Sequence, residues 1–198
     1  MRQFTSPVSV FVLAVLLCSC KSETTEPPSQ PASISFLPLK IGNVWYYQSY
    51  VPGSFFDSTK YNEMWQVVRA RSLDTRTFFL VRMSHYNTVG SIVSVDSVYY
   101  SDAVDSLLQI FPEQPFVSSS ISILALVSPS AGSFDTQFAG IPHAAYISAR
   151  TENTVSIVYT PSGHPELGFQ YTFKKSVGLT ESQSGYGVGK RLVKYQLG

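Results

Sequence analysis

The sequence predicts an all-β fold: a single antiparallel meander forming a strongly curved sheet, an open barrel or a sandwich. Three observations predict it. From Phe36 onward, runs dense in Tyr, Phe, Val and Ser alternate with a period of two, as in a strand with one buried face. Turn residues break these runs at intervals of roughly 10 to 18 residues, the spacing of a meander. No stretch after the leader sustains the 3.6-residue period of an amphipathic helix.

The strands follow in order. Gly42-Asn43 suits a tight turn and leads into Val44 to Tyr50, whose aromatics favour a strand. Pro52-Gly53 opens the next turn, before Tyr61 to Ser72, where Tyr61, Trp65 and Val67 are expected on one face. Asp74-Thr75 turns the chain into Thr77 to Ser84, and Asn87 to Gly90 turns it into Ile92 to Tyr100. A break at Asp102 to Asp105 precedes Leu107 to Phe111. Ser118 to Val127, fenced by Pro112, Pro115 and Pro129, reads as an irregular link. Ala144 to Ala149, Thr154 to Thr160, Phe169 to Lys175, Leu179 to Ser184 and Lys190 to Leu197 complete the set.

Two segments precede this domain. Arg2 gives the start a positive charge, and Val8 to Leu17 is apolar except for Ser9. That run is too short to cross a bilayer, which takes about 20 apolar residues, and it fits a secretory leader. Lys21 to Ser35 is rich in Ser, Thr and Pro and cannot bury enough surface to offset its ordering entropy. As a semi-extended tether it reaches about 45 Å, at about 3.1 Å per residue. The organisation is therefore 1–19 leader, 20–35 tether and 36–198 antiparallel β domain.

Between leader and tether, Leu17-Cys18-Ser19-Cys20 resembles the lipobox of bacterial lipoproteins. The resemblance implies cleavage between Ser19 and Cys20, a diacylglyceryl group on the Cys20 sulfur and an acyl chain on its new amine. Two or more chains anchor a protein stably where one does not. Lys21, rather than Asp, after the anchor resembles the signal for outer-membrane rather than inner-membrane lipoproteins. Which face of that membrane the domain occupies is left open. Both cysteines sit at this junction, so the mature domain has neither a disulfide nor a thiolate for chemistry. Loss of residues 1–19 removes Arg2 and leaves 13 basic against 13 acidic residues. That balance argues against nucleic acid as a partner.

A second resemblance lies in Pro38-Leu39-Lys40-Ile41-Gly42-Asn43-Val44-Trp45-Tyr46-Tyr47, which is similar to the PLKxGNxWxY opening of a diffuse group of bacterial envelope lipoproteins. Phe169 to Phe173, Val177-Gly178-Leu179 and Leu192 to Leu197 match the aromatic strand, the VGL turn and the last strand with which that group closes. Ser128 to Phe134 stands where the group often repeats its opening motif, without the Trp. The resemblance implies the fold and the envelope address, and no reaction.

Residues that could carry chemistry do not assemble into a motif. Gly185-Tyr186-Gly187-Val188-Gly189-Lys190 lacks the spacing of a phosphate loop and reads as a hairpin turn. His85, His143 and His164 show neither HxH nor HExxH spacing and are expected in exposed loops. Asp96, Asp102 and Asp105 lack calcium-loop spacing, and turn or capping roles are expected of the last two. No GxSxG elbow occurs. Neither a metal, a cofactor nor an enzymatic activity is expected.

Aromatic residues make up 14% of the chain. Trp45-Tyr46-Tyr47, Phe55-Phe56, Phe78-Phe79 and Tyr99-Tyr100 must place neighbours on opposite faces of a strand. Either one face is core and amphipathic Tyr covers the other, or both faces are apolar because the sheet encloses a ligand or docks a partner. Trp45 and Trp65 are expected as core anchors. The functional expectation is a lipid-anchored, non-enzymatic binding or scaffold module whose partner is an apolar ligand, a glycan or an envelope protein. The alternative is a carrier of lipid or another apolar molecule, resembling the open-barrel lipoprotein-sorting factors. Its concave face would be lined by residues such as Phe79, Val81, Val93 and Tyr171. A filled interior favours the module, and a hollow one the carrier.

Overall fold

The computed structural model describes residues 35–51, 53–57, 59–103, 105–126, 132–138 and 140–198. Ser19, Cys20 and the tether up to residue 34 lie outside the described residues. Among those described, twelve antiparallel strands form one sheet: β1 Val44–Tyr50, β2 Glu63–Leu73, β3 Arg76–Tyr86, β4 Ile92–Ala103, β5 Ser106–Ile110, β6 Ser122–Leu126, β7 Ser133–Phe138, β8 Ile141–Arg150, β9 Thr154–Pro161, β10 Phe169–Lys174, β11 Gly178–Ser184 and β12 Gly189–Gln196. The all-β meander is thus what the chain folds into. Two strands depart from the sequence reading. The expected irregular link contains β6, and the stretch compared with a repeated opening motif ends in the first two residues of β7.

Strand order runs β6-β5-β4-β3-β2-β1-β12-β11-β10-β9-β8-β7. The first and last strands therefore pair at the centre, Val44 opposite Gln196 and Tyr50 opposite Gly189. The sheet curls until its edges, β6 and β7, face each other. They are joined there by side chains. Thr136 Oγ1 donates to the Ile123 carbonyl and the Tyr159 hydroxyl to that of Leu124. Arg150 Nη2 donates to the Leu126 carbonyl at 3.3 Å, and Gln109 Nε2 to that of Gln137 at 3.2 Å. The result is a nearly closed barrel with a stitched seam.

One end of the barrel is shut by the chain that leads into β1. Phe36 and Leu37 are buried there, and the Ser176 amide donates to the Ser35 carbonyl at 2.8 Å. Asn43 is only 2% exposed and holds both termini of the domain: its Nδ2 donates to the Pro38 carbonyl at 2.6 Å, and the Gly198 amide donates to its Oδ1 at 2.9 Å. Trp45 Nε1 donates to the Val177 carbonyl at 2.5 Å. Gly178, at φ +112°, lets the backbone pass under that indole. A Cβ there would lie 3.0 Å from Trp45 Nε1 and from Leu37 Cδ1.

Inside, Trp45, Tyr47, Trp65, Val67, Val81, Tyr100, Ile157, Tyr159, Phe173 and Leu179 form one core. Trp45 and Trp65 are the anchors expected of them. The outer face is apolar as well, but its cover is the protein's own chain. Phe78, Tyr99, Leu108 and Ile110 are buried outside the barrel beneath Phe116 and Ile121. Arg71 lies 4.1 Å from the Phe116 ring centroid and Arg69 Nη2 donates to the Tyr99 hydroxyl at 2.8 Å. Phe78-Phe79 and Tyr99-Tyr100 are therefore split between two cores, both built from this chain. Tyr61 departs from the expected face, packing against Tyr46 and Tyr86 at centroid distances of 4.7 and 5.9 Å.

Candidate functional site

The opposite end of the barrel, where β1 finishes and β2 begins, is polar. Register places the side chains. Glu63 lies opposite both Tyr47 of β1 and His85 of β3, and it shares its face with Trp65 and Val67 two and four residues on. Lys190 enters from β12 and lies opposite Ser49 and Ser182. These strands project a carboxylate and an ammonium into the same mouth.

The two meet there. Lys190 Nζ is 2.7 Å from Glu63 Oε1, and Trp65 Nε1 donates to the same oxygen at 2.5 Å. Lys190 Nζ also stands 4.6 Å from the Trp65 ring centroid and 5.6 Å from that of Tyr47. His85 bridges outward, with Nδ1 3.9 Å from Glu63 Oε2 and Nε2 3.2 Å from Asp96 Oδ2. A buried carboxylate would be costly alone, and these partners satisfy it. Burial, with the nearby Glu63 charge as a lesser cause, raises the Tyr47 phenol well above its ordinary value and that of Tyr171 to about 12. Tyr47 donates its hydroxyl to the Leu179 carbonyl at 3.0 Å. Tyr47 is thus a hydrogen-bond donor, and Tyr171 packs its ring against Phe169 and Phe173.

Beside Lys190 lies a cavity of about 370 Å³ lined by Ser49, Phe169, Tyr171, Ser182 and Gln183. Its aromatic wall continues inward, since Phe169 stacks on Tyr159 at 4.9 Å and Tyr171 packs on Phe169 at 5.1 Å. A broader recess of about 770 Å³ opens between the β1–β2 and β3–β4 connections, lined by Gln48, Tyr61, Asn62, Tyr86 and Asn87. With its central charges already paired, the mouth offers hydroxyls, amides and aromatic edges.

The three histidines are scattered, and only one is in the expected setting. His164 is exposed in a connection, 3.3 Å from Glu166. His85 belongs to β3, and His143 is 5% exposed in β8, packed against Phe138 and Phe169 with Nδ1 2.8 Å from the Ile141 carbonyl. Both corrections have one cause: neither segment is a loop, and inward register overrides the polarity of the imidazole. Asp96 is at the mouth, whereas Asp102 is in β4 near the shut end and Asp105 is in the β4–β5 turn. Among the described residues, no three of His, Cys, Asp and Glu converge as metal ligands. Of the named concave-face residues, Val81 is in the core and Phe79 and Tyr171 pack against it, but Val93 is 63% exposed. Sequence reasoning passed over Glu63 and met Lys190 only as the end of a glycine-rich turn and the start of the last strand. The period-two relation of Glu63 to Trp65 is the signal that finds the first.

No protein-family model matches the sequence, and no curated protein matches it significantly. Two solved structures are similar over most of its length. One, from Parabacteroides distasonis, is provisionally described as a lipoprotein. It is 13% identical, with a TM-score of 0.46 over 84% of this chain and 100% of that one. The other, from Bacteroides fragilis, is provisionally described as an exported protein with a YmcC-like fold. It is 8% identical, with a TM-score of 0.49 over 83% of this chain and 100% of that one.

Proposed function

We propose that the protein is a lipid-anchored lipoprotein of the bacterial envelope whose β domain is a non-enzymatic binding module. On this reading residues 1–19 are removed, Cys20 carries the lipid in the outer membrane, and residues 20–35 tether the barrel. The observation that carries the module over the carrier is the filled interior: Trp45, Tyr47, Tyr159 and Phe173 meet at 1% exposure or less. A lipid chain would have to displace them, at about 3–5 kcal/mol for each large aromatic ring driven out of the core. Recognition on this reading falls to the polar mouth, where the short cavity beside Lys190 presents donors and acceptors at its rim. Shallow pockets of that kind suit part of a glycan or a protein side chain.

The test uses the full chain in a bacterial host. The lipid-bearing protein is expected in the membrane fraction, and Cys20→Ala is expected to release it. Persistence of Cys20→Ala in the membrane would sink the anchor. Gently purified protein is then extracted with organic solvent and the extract examined by mass spectrometry. The anchor's lipid is covalently bound and stays with the protein, so an extract without a stoichiometric lipid is expected, and an apolar molecule at one per chain would establish the carrier instead.

A further inference from the structure

The recess between the β1–β2 and β3–β4 connections is held open by two asparagines. Asn62 ties three strands together: its amide donates to the Tyr47 carbonyl at 3.0 Å, its carbonyl accepts from the Tyr86 amide at 2.8 Å, and its Oδ1 accepts from the Ser49 amide at 2.9 Å. Asn87 closes the β3–β4 connection, its Oδ1 accepting from the Val89 and Ser91 amides at 3.1 and 2.9 Å. Of the two side-chain amide atoms only the oxygen accepts from an N–H, so both amides are fixed in orientation. Each Nδ2 is left over, with no hydrogen-bond partner among the described residues. Gln48 adds a third amide to the lining, and its covered Oε1 also has no partner among the described residues. A covered acceptor without a donor is a cost the fold carries, as binding sites do.

The rest of the lining narrows what such a site takes. Its volume of about 770 Å³ is ordinary for a small-molecule site. Tyr61 and Tyr86 meet edge to face at 5.9 Å on its wall, and Tyr61 is 40% exposed. The lining holds no Val, Leu, Ile, Met or Phe, so an acyl chain finds no aliphatic wall. Its one charged side chain, Lys60, is 78% exposed and stands 3.3 Å from Asp57, so a phosphate or carboxylate finds no unpaired cation. What remains is a neutral ligand rich in hydroxyls with one C–H face. Hydroxyls accept from the Nδ2 groups, and polarised C–H groups lie against the negative face of a tyrosine ring. Because the donors are already fixed, little freedom is lost on binding.

We propose that this recess binds a neutral glycan, with Asn62 and Asn87 donating to sugar hydroxyls and Tyr61 as the stacking ring. The inference rests on the binding-module reading and names its ligand class. Ser49 lines both this recess and the cavity beside Lys190, whose ammonium is already paired with Glu63 at 2.7 Å. The two depressions therefore share a lip, which favours an oligosaccharide over a single sugar.

The detergent-solubilised full chain is passed over an array of neutral oligosaccharides of glucose, galactose, mannose and N-acetylhexosamines, beside sialylated and uronic-acid counterparts. The best neutral member is then titrated by calorimetry. Binding to a neutral oligosaccharide is expected, and added salt is expected to leave it unchanged because no charge pair is formed. Tyr61→Ala is expected to weaken it about tenfold. Asn87→Asp keeps the Oδ1 bonds of the turn and loses the donor, and is expected to weaken it about fivefold. Tyr146→Ala, at a residue 49% exposed on β8, is expected to bind as the parent does. A parent that binds no neutral member, that binds only the acidic ones, or that keeps its affinity in both Tyr61→Ala and Asn87→Asp overturns the glycan assignment. A blank array with an empty solvent extract removes the glycan and leaves the module, whereas a stoichiometric apolar molecule in that extract removes the module itself.

Discussion

Glu63 shows how one residue can set the character of a whole end of the barrel. Its carboxylate accepts from Trp65 and Lys190 while being almost fully covered. Removing one member of such a cluster leaves the others desolvated and unpaired, which costs more than the pair itself contributes. Glu63→Ala is expected to lose about 3 kcal/mol in urea unfolding. Glu63→Gln, which keeps an acceptor for the indole, is expected to lose about 1–2 kcal/mol. Equal losses would mean that the charge accounts for the whole effect and the acceptor kept for the indole contributes nothing. At this scale the sequence was informative where burial and chemistry agreed. Trp45 and Trp65 were legible as anchors because large aromatics in alternating strands have one place to go. Glu63 and Lys190 were not, because each satisfies the other across 127 residues of sequence. His143 was hidden for the same reason, its ring being buried by a face that only the β7–β8–β9 register defines.

Among the elements, the seam between β6 and β7 is the place where regular structure gives way to individual bonds. Tyr159 spans it, its ring in the core against Phe138 and Phe169 and its hydroxyl on the Leu124 carbonyl. Tyr159→Phe keeps the ring and removes the bond. It is expected to cost about 1–2 kcal/mol, the penalty of a covered carbonyl left without a donor. Amide hydrogen exchange should then quicken in Ser122–Leu126 while the β1–β12 ladder stays protected. Uniform quickening would show that the bond supports the whole barrel rather than its seam. The strands on either side of this seam are those the sequence concealed. β6 and β7 have five and six residues, and they lie among serines and prolines that read as a link. Period-two alternation needs length to stand out, as it does in the 11 and 12 residues of β2 and β4. The doublets Phe78-Phe79 and Tyr99-Tyr100 were legible as two-faced, whereas Phe55-Phe56 lies outside the strands, with Phe55 90% exposed, because the connection between β1 and β2 gives it no sheet to divide. What covers the second face, Phe116 and Ile121 from a connection, was not, because a connection carries no periodicity.

The molecule as a whole responds to pH through carboxyls shifted in opposite directions. Asp102, in β4 near the shut end, has its carboxyl raised from 3.8 to about 6 by desolvation, against a hydrogen bond from Ser35. A raised value means that folding penalises the charged form. Its stabilising contribution is full below 3.8 and is lost as pH rises through about 6. Glu181 is lowered in spite of desolvation, by Tyr50 and Arg191, and its contribution is instead lost as the solution turns acidic. Asp102→Asn is therefore expected to gain on the parent between pH 4 and 7, with the two nearly equal at pH 4. The amplitude is modest because Asp102 keeps one side in water. Urea unfolding across that range measures the difference, and a constant offset would show that Asp102 does not titrate there. The central ladder has a consequence in time. Asn43 waits for Gly198, 155 residues later, and β1 waits for β12. Six strands can emerge from a ribosome with β2 to β6 free to pair in order, yet β1, between the halves of the barrel, has one side open until β12 arrives. Such long-range pairing is slow and exposes its edges meanwhile. A chain made from its N-terminus thus cannot close its central ladder before β12 has emerged.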